Sequence, residues 1–239
     1  MLTFFYTSTR ATSFGKELKS RRCAGESVQQ RNWLQVMASG GVPLVMVLLL
    51  SLDTSTVTGE RPINLVSDFS GAFYDLAVLG AIACATGDTW ASEIGSVSGS
   101  QQPFLLTAWR RVPVGTNGAV SLIGTVASMS GGLLIGLIHW IAVWCLSSNL
   151  QLKNCSYQWL LIFLGALAGL GGSFMDSLLG ATCQFSGYDT ERKVVVDCPS
   201  PHVKRICGRD WLNNNSVNLV SCLICALLCP AVAVRIWNS

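Results

Sequence analysis

The residues best placed to do chemistry stand where a bilayer should be. Asp88, Thr89, Ser92, Glu93 and Ser96 follow the apolar run Leu76 to Ala85. Wound as a helix, they share one stripe, and Trp90, Ala91, Ile94 and Val97 share the opposite one. A carboxylate at bilayer depth costs at least about 2.5 kcal/mol, so such residues face a bundle interior and mark either function or a structural pairing with a basic residue. A second stripe of the same kind is Ser173, Asp176, Ser177, Gly180 and Gln184. Two amide groups complete the set: Asn117 with Gly118, and Asn214 with Asn218 one helical turn apart.

Three carboxylates and several amides are hard oxygen ligands. They suit Mg²⁺, which is held by one or two carboxylates while phosphates complete its shell. Asp88, Glu93 and Asp176 are the expected metal ligands and catalytic acids. Asn117, Gly118, Ser177, Asn214 and Asn218 are the expected substrate contacts. Arg110 and Arg111, with Lys204 and Arg205, are the cations expected to clamp phosphates. Phosphoryl transfer needs little beyond such positioning, metal and charge. The sequence has no Gly-rich loop ending in Lys-Ser or Lys-Thr, so a phosphotransferase here is not of the P-loop kind. Buried acids on Gly-rich helices also describe an ion-coupled transporter, and a non-catalytic membrane scaffold is the third reading.

The elements that position these residues are membrane helices. Half of the residues are hydrophobic and only 12% are charged, against about a quarter in soluble domains. Mean hydropathy is +0.46. The predicted fold is an all-α, polytopic membrane helix bundle with about five spans, near 33–52, 70–95, 113–147, 157–185 and 211–234. Gly40, Gly41 and Pro43 predict a broken or short first span. Residues 1–32 read as a solvated basic segment ahead of the membrane domain at 33–239. The net charge of +3 gives no reason to expect nucleic acid.

Charge distribution sets the topology. Thirteen of the 16 Lys and Arg lie in segments 1–32, 96–112 and 186–210; Arg61, Lys153 and Arg235 are the others. That asymmetry predicts a cytoplasmic N-terminus and an external C-terminus. Every polar motif then falls at the cytoplasmic end of its span. The Asn154-Cys155-Ser156 sequon falls outside. Ten Cys do not form a disulfide pattern. Cys222 and Cys225 sit in an apolar run, where Cys packs as a small hydrophobe. His139, mid-span, reads as a hydrogen-bonded core residue.

Four ordered motifs, Gly87-Asp88-Thr89-Trp90-Ala91-Ser92-Glu93-Ile94-Gly95, Gly115-Thr116-Asn117-Gly118, Asp176-Ser177-Leu178-Leu179-Gly180-Ala181 and Asn214-Asn215-Ser216-Val217-Asn218, resemble the transmembrane protein 19 family. That family includes a plant branch that acts as a phytyl-phosphate kinase. The resemblance implies a multi-pass protein of an intracellular membrane. It also implies phosphate transfer from a nucleoside triphosphate, with Mg²⁺, to an isoprenyl monophosphate. Carried over by motif, Asp88, Glu93, Asn117, Asp176, Asn214 and Asn218 are the positions involved. Members of that family carry further membrane segments before the basic stretch, so the chain is expected to be a shortened member.

Overall fold

The computed structural model describes residues 1–14, 33–53, 62–65, 67–98, 102–147 and 157–237. The basic residues from Lys16 to Arg31 and the Asn154 sequon lie outside them.

Five long helices carry the apolar runs: α2 (Trp33–Asp53), α3 (Phe69–Ser98), α4 (Leu122–Leu146), α5 (Leu160–Cys183) and α6 (Asn214–Trp237). Each is long and apolar enough to cross a membrane. A short helix, α1 (Leu2–Ser13), precedes them. The spans agree with those read from hydropathy, with two differences. The third begins at Leu122 rather than near 113, because the Ser121 hydroxyl accepts the Gly124 N–H and caps the helix there. The first is not broken. Helix α2 runs through Gly40, Gly41 and Pro43 as one element, with Pro43 buried. Neighbouring helices let a membrane helix tolerate such a proline.

Helix α3 is the centre and touches the other five described helices. Leu76, Ala77, Leu79, Ala81 and Ala83 on it are fully buried. Small residues bring the partners close. A Cβ on Gly87 would stand 2.6 Å from the Gly169 carbonyl oxygen of α5, and one on Gly169 would stand 2.7 Å from Gly132 Cα of α4. Cys84, Cys222, Cys225 and Cys229 are buried in this core, where α3 meets α6. Large apolar side chains such as Leu133, Phe163 and Leu227 remain exposed on the outer faces, as a lipid-facing surface requires.

Two small antiparallel sheets cap one end. The first, β1 (Phe104–Leu105), β2 (Arg110–Arg111) and β3 (Ala119–Val120), has order β2-β1-β3 and joins α3 to α4. The second, β4 (Ser186–Asp189), β5 (Val194–Val196) and β6 (Val203–Cys207), has order β5-β4-β6 and joins α5 to α6. Both segments read as plain loops in sequence. Leu105, Val112 and Ala181 bury a small core between cap and bundle. Residues 2–13 also depart from a solvated segment: α1 buries Phe4, Ser8 and Ala11 as it packs on α3.

Candidate functional site

A cavity of about 360 Å³ opens at the capped end. The starts of α2, α4 and α6 and the ends of α3 and α5 converge there, so the alternation of the spans has brought the motifs together. Asp88, Glu93, Asn117, Gly118, Asp176, Ser177, Asn214 and Asn218 all line it. No Lys, Arg or His among the described residues does so.

Asp88 and Asp176 come from α3 and α5, and their carboxylates lie near enough to repel each other. Ser221 Oγ donates to Asp176 Oδ2 at 3.3 Å, and Ser173 lines the cavity beside Asp88. Glu93 lines the same cavity, but five residues up a 1.5 Å-rise helix place its Cα about 7 Å nearer the cap than that of Asp88. Among the described residues no three His, Cys, Asp or Glu side chains converge to hold a metal by themselves. The expected set of Asp88, Glu93 and Asp176 is therefore not closed by geometry. Two carboxylates with amide and hydroxyl oxygens nearby still fit the oxygen-rich, partly open coordination that Mg²⁺ takes beside phosphates.

Gly118 has a structural reason for its type. Its φ is +73°, and a side chain there would strike the Ser177 carbonyl and the Ala181 amide of α5. Asn117 is held by four bonds. Its backbone N–H donates to Ser186 Oγ at 2.9 Å, and its carbonyl accepts from Cys207 Sγ at 3.6 Å. Its amide Nδ2 donates to the Phe185 carbonyl at 3.0 Å and to Asp197 Oδ1 at 3.1 Å. Only its amide oxygen remains for a substrate.

Arg110 and Arg111 are not brought into the site. They lie exposed on β2, and an Arg110 guanidinium nitrogen donates to the Ile206 carbonyl at 2.9 Å, tying the two sheets together. Sequence reasoning missed Asp197, which lines the cavity from the loop after β5 and carries no local motif. It also missed Phe4, Phe5 and Thr12 of α1, and Gln35 and Ser39 of α2. Among these, Phe5 is 59% exposed, as Val36 (49%) and Phe174 (48%) are, so the lining reaches the outer surface of the bundle. Burial pushes the Cys207 thiol above its usual range.

A family model described as integral membrane protein DUF92 matches residues 1–226, which include every residue of the cavity lining. The chain belongs to the DUF92 family of integral membrane proteins. Protein PGR of Arabidopsis thaliana is 41% identical over 244 residues, covering 99% of this chain and 81% of that protein. An uncharacterized membrane protein of Methanocaldococcus jannaschii is 27% identical over 224 residues, 94% of this chain and 71% of its own. One of Synechocystis is 26% identical over 185 residues, 77% and 62% of the two chains. No solved structure matches this DUF92 chain.

Proposed function

We propose that this DUF92 protein is a Mg²⁺-dependent phosphotransferase. It moves a phosphoryl group from a nucleoside triphosphate to an isoprenyl monophosphate, as the resemblance to phytyl-phosphate kinase implies. The observation that carries this reading is the meeting of Asp88 and Asp176 in a cavity whose described lining has no basic side chain. Such a site is neutral only with bound cations or protons, and hard oxygen donors favour a divalent ion. Bound Mg²⁺ would neutralise phosphate charge and polarise the phosphoryl oxygens. With Arg110 turned to Ile206, that neutralisation does not fall to the arginine pair.

The chain's own residues position the rest. The Asn214 amide and the Ser177 hydroxyl face the cavity and supply neutral hydrogen bonds to phosphate or nucleotide. Phe5, Val36 and Phe174 join the cavity to the lipid-facing surface, so an isoprenyl tail stays in the bilayer while its phosphate enters. The bias of Lys and Arg supports an orientation with the N-terminus, the caps and the cavity on the cytoplasmic side, where nucleotides are.

The test is labelled nucleoside triphosphate with phytyl or geranylgeranyl phosphate and the purified protein in detergent. A labelled diphosphate product, lost in Asp88→Asn, is the expected outcome. Acids placed within spans, in a cavity lined by none of the described basic residues, also favour a second reading, an ion-coupled transporter. Substrate-dependent ion flux in liposomes with no diphosphate product would select it.

A further inference from the structure

Beside the main cavity lies a much smaller recess of about 10 Å³, room for one water-sized sphere. Asp88 and Asp176 line both spaces, and Asn218 does too. The hydroxyls of Ser39, Thr89 and Ser221 complete the polar part of the recess. Glu93 lines the main cavity only.

The recess holds more acceptors than donors to satisfy them. The Thr89 hydroxyl donates to the Ala85 carbonyl at 2.8 Å. The Ser221 hydroxyl is shared between the Val217 carbonyl at 2.9 Å and Asp176. Both hydroxyl protons are engaged. The Asn218 amide oxygen is screened from solvent and has no hydrogen-bond partner among the described residues. An orphan buried acceptor is destabilising, and it lines the same recess as two carboxylates. The Ser39 hydroxyl and the Asn218 amide N–H groups are the donors among the described residues of the recess, and they can serve a carboxylate but not the Asn218 oxygen together with both acids. An anion would add acceptors to acceptors. A small cation satisfies all three at once.

We infer that Asp88, Asp176 and the Asn218 amide oxygen are the protein's own ligands for a divalent cation in this recess, with Glu93 outside the set. This rests on the metal-dependent reading of the site and exchanges two of the roles expected from sequence. Asn218 serves the cation rather than the phosphate, and Glu93 faces the substrate side. Three protein oxygens leave the remaining positions of an octahedral ion to water and phosphate, the usual arrangement for Mg²⁺. The oxygens of Thr89 and Ser221 retain lone pairs and line the same space.

The experiment measures Mn²⁺ binding by the full chain in detergent, without nucleotide, from the loss of the free-ion paramagnetic resonance signal. Mg²⁺ competes in a second titration. Wild type is expected to bind Mn²⁺ and release it to Mg²⁺. Asp88→Asn, Asp176→Asn and Asn218→Leu are each expected to weaken binding by about tenfold or more. Glu93→Gln is expected to change it by less than about threefold. If Asn218→Leu fails to fold, Asn218→Asp decides, because it keeps the size and adds charge. It should bind at least as tightly as wild type. Folded wild type that takes up no Mn²⁺ would overturn the inference. So would loss of binding in Glu93→Gln with full binding in Asn218→Leu, or weakened binding in Asn218→Asp. Mn²⁺ held by this ligand set with no diphosphate product would sink the kinase reading alone. Product formed with unaltered metal affinity in Asn218→Leu would sink the ligand set alone.

Discussion

Asn117 donates its side-chain amide to Asp197 at 3.1 Å, across 80 residues of chain. The contact joins the turn before α4 to the loop after β5, and both residues line the cavity. With Phe185, Ser186 and Cys207 as its other partners, Asn117 is the latch that holds the two caps over the site.

Removing that latch should loosen the cap before it unfolds the bundle. Asn117→Ala deletes two hydrogen bonds and strands the Phe185 carbonyl, a loss of about 1–3 kcal/mol. Asp197→Asn keeps an acceptor oxygen for Asn117, so it should lose less than about 1 kcal/mol. Limited proteolysis within 186–213 reads the difference. Faster cleavage is expected in Asn117→Ala and near-native cleavage in Asp197→Asn. Equal rates in the two variants would remove the latch role.

Glycine contacts hold the helix that carries Asp176. On α4, a side chain at Gly132 would collide with the Gly165 carbonyl and stand 2.8 Å from Gly169 Cα. Backbone cannot give as a side-chain tip can, so Gly132→Ala should destabilise by about 1–3 kcal/mol or more. Gly171, on the same helix α5, has nothing within 4 Å of its added Cβ. Gly171→Ala should be neutral or slightly stabilising, by up to about 1 kcal/mol. Thermal unfolding in detergent compares the pair. Similar midpoints for both variants would contradict the packing described.

The five spans were legible because length and hydropathy report them directly, and the shared end of the polar motifs followed from alternation alone. Asp88 and Asp176 could be paired from sequence for that reason. The caps were not legible. Strands such as Phe104–Leu105 and Arg110–Arg111 are two residues long and have no period to read. Arg110 looked like a phosphate clamp because its bond to Ile206 depends on how two unread sheets dock. Asp197 reaches the cavity through the same docking. Helix α1 was hidden because its apolar residues are few. Pro43 predicted a break that tertiary packing overrides.

Acid should loosen one turn of the cap. Asp189 Oδ1 accepts the backbone N–H groups of Arg192 at 3.0 Å and Glu191 at 2.9 Å, and these bonds hold its carboxyl below the usual range. A carboxylate whose folded pKa is depressed contributes stability above its unfolded value, near 3.9. That contribution is lost as pH falls through the folded value. Hydrogen exchange over 186–196, corrected for intrinsic rate, should therefore show weaker protection below about pH 4. Asp189→Asn should abolish this pH response. A variant that keeps the wild-type response would assign it to another group.

The far end of the bundle has its own clasp. Ile63, ahead of α3, donates its backbone N–H to Gln158 Oε1 at 3.1 Å, and Gln158 Nε2 returns a bond to the Ile63 carbonyl at 2.7 Å. Both residues are buried, so neither backbone group has water as a substitute. Gln158→Leu strands both, at a loss on the order of 2–4 kcal/mol. Gln158→Glu keeps one bond but sets a carboxylate oxygen against the Ile63 carbonyl, so it too should destabilise. Because the clasp joins the starts of α3 and α5 while Asp88 and Asp176 lie toward their other ends, the loss should appear in the unfolding midpoint and not at the cavity. Below that midpoint, Mn²⁺ affinity should match wild type. A variant that unfolds normally yet binds the ion poorly would mean that the clasp sets the spacing of the two acids.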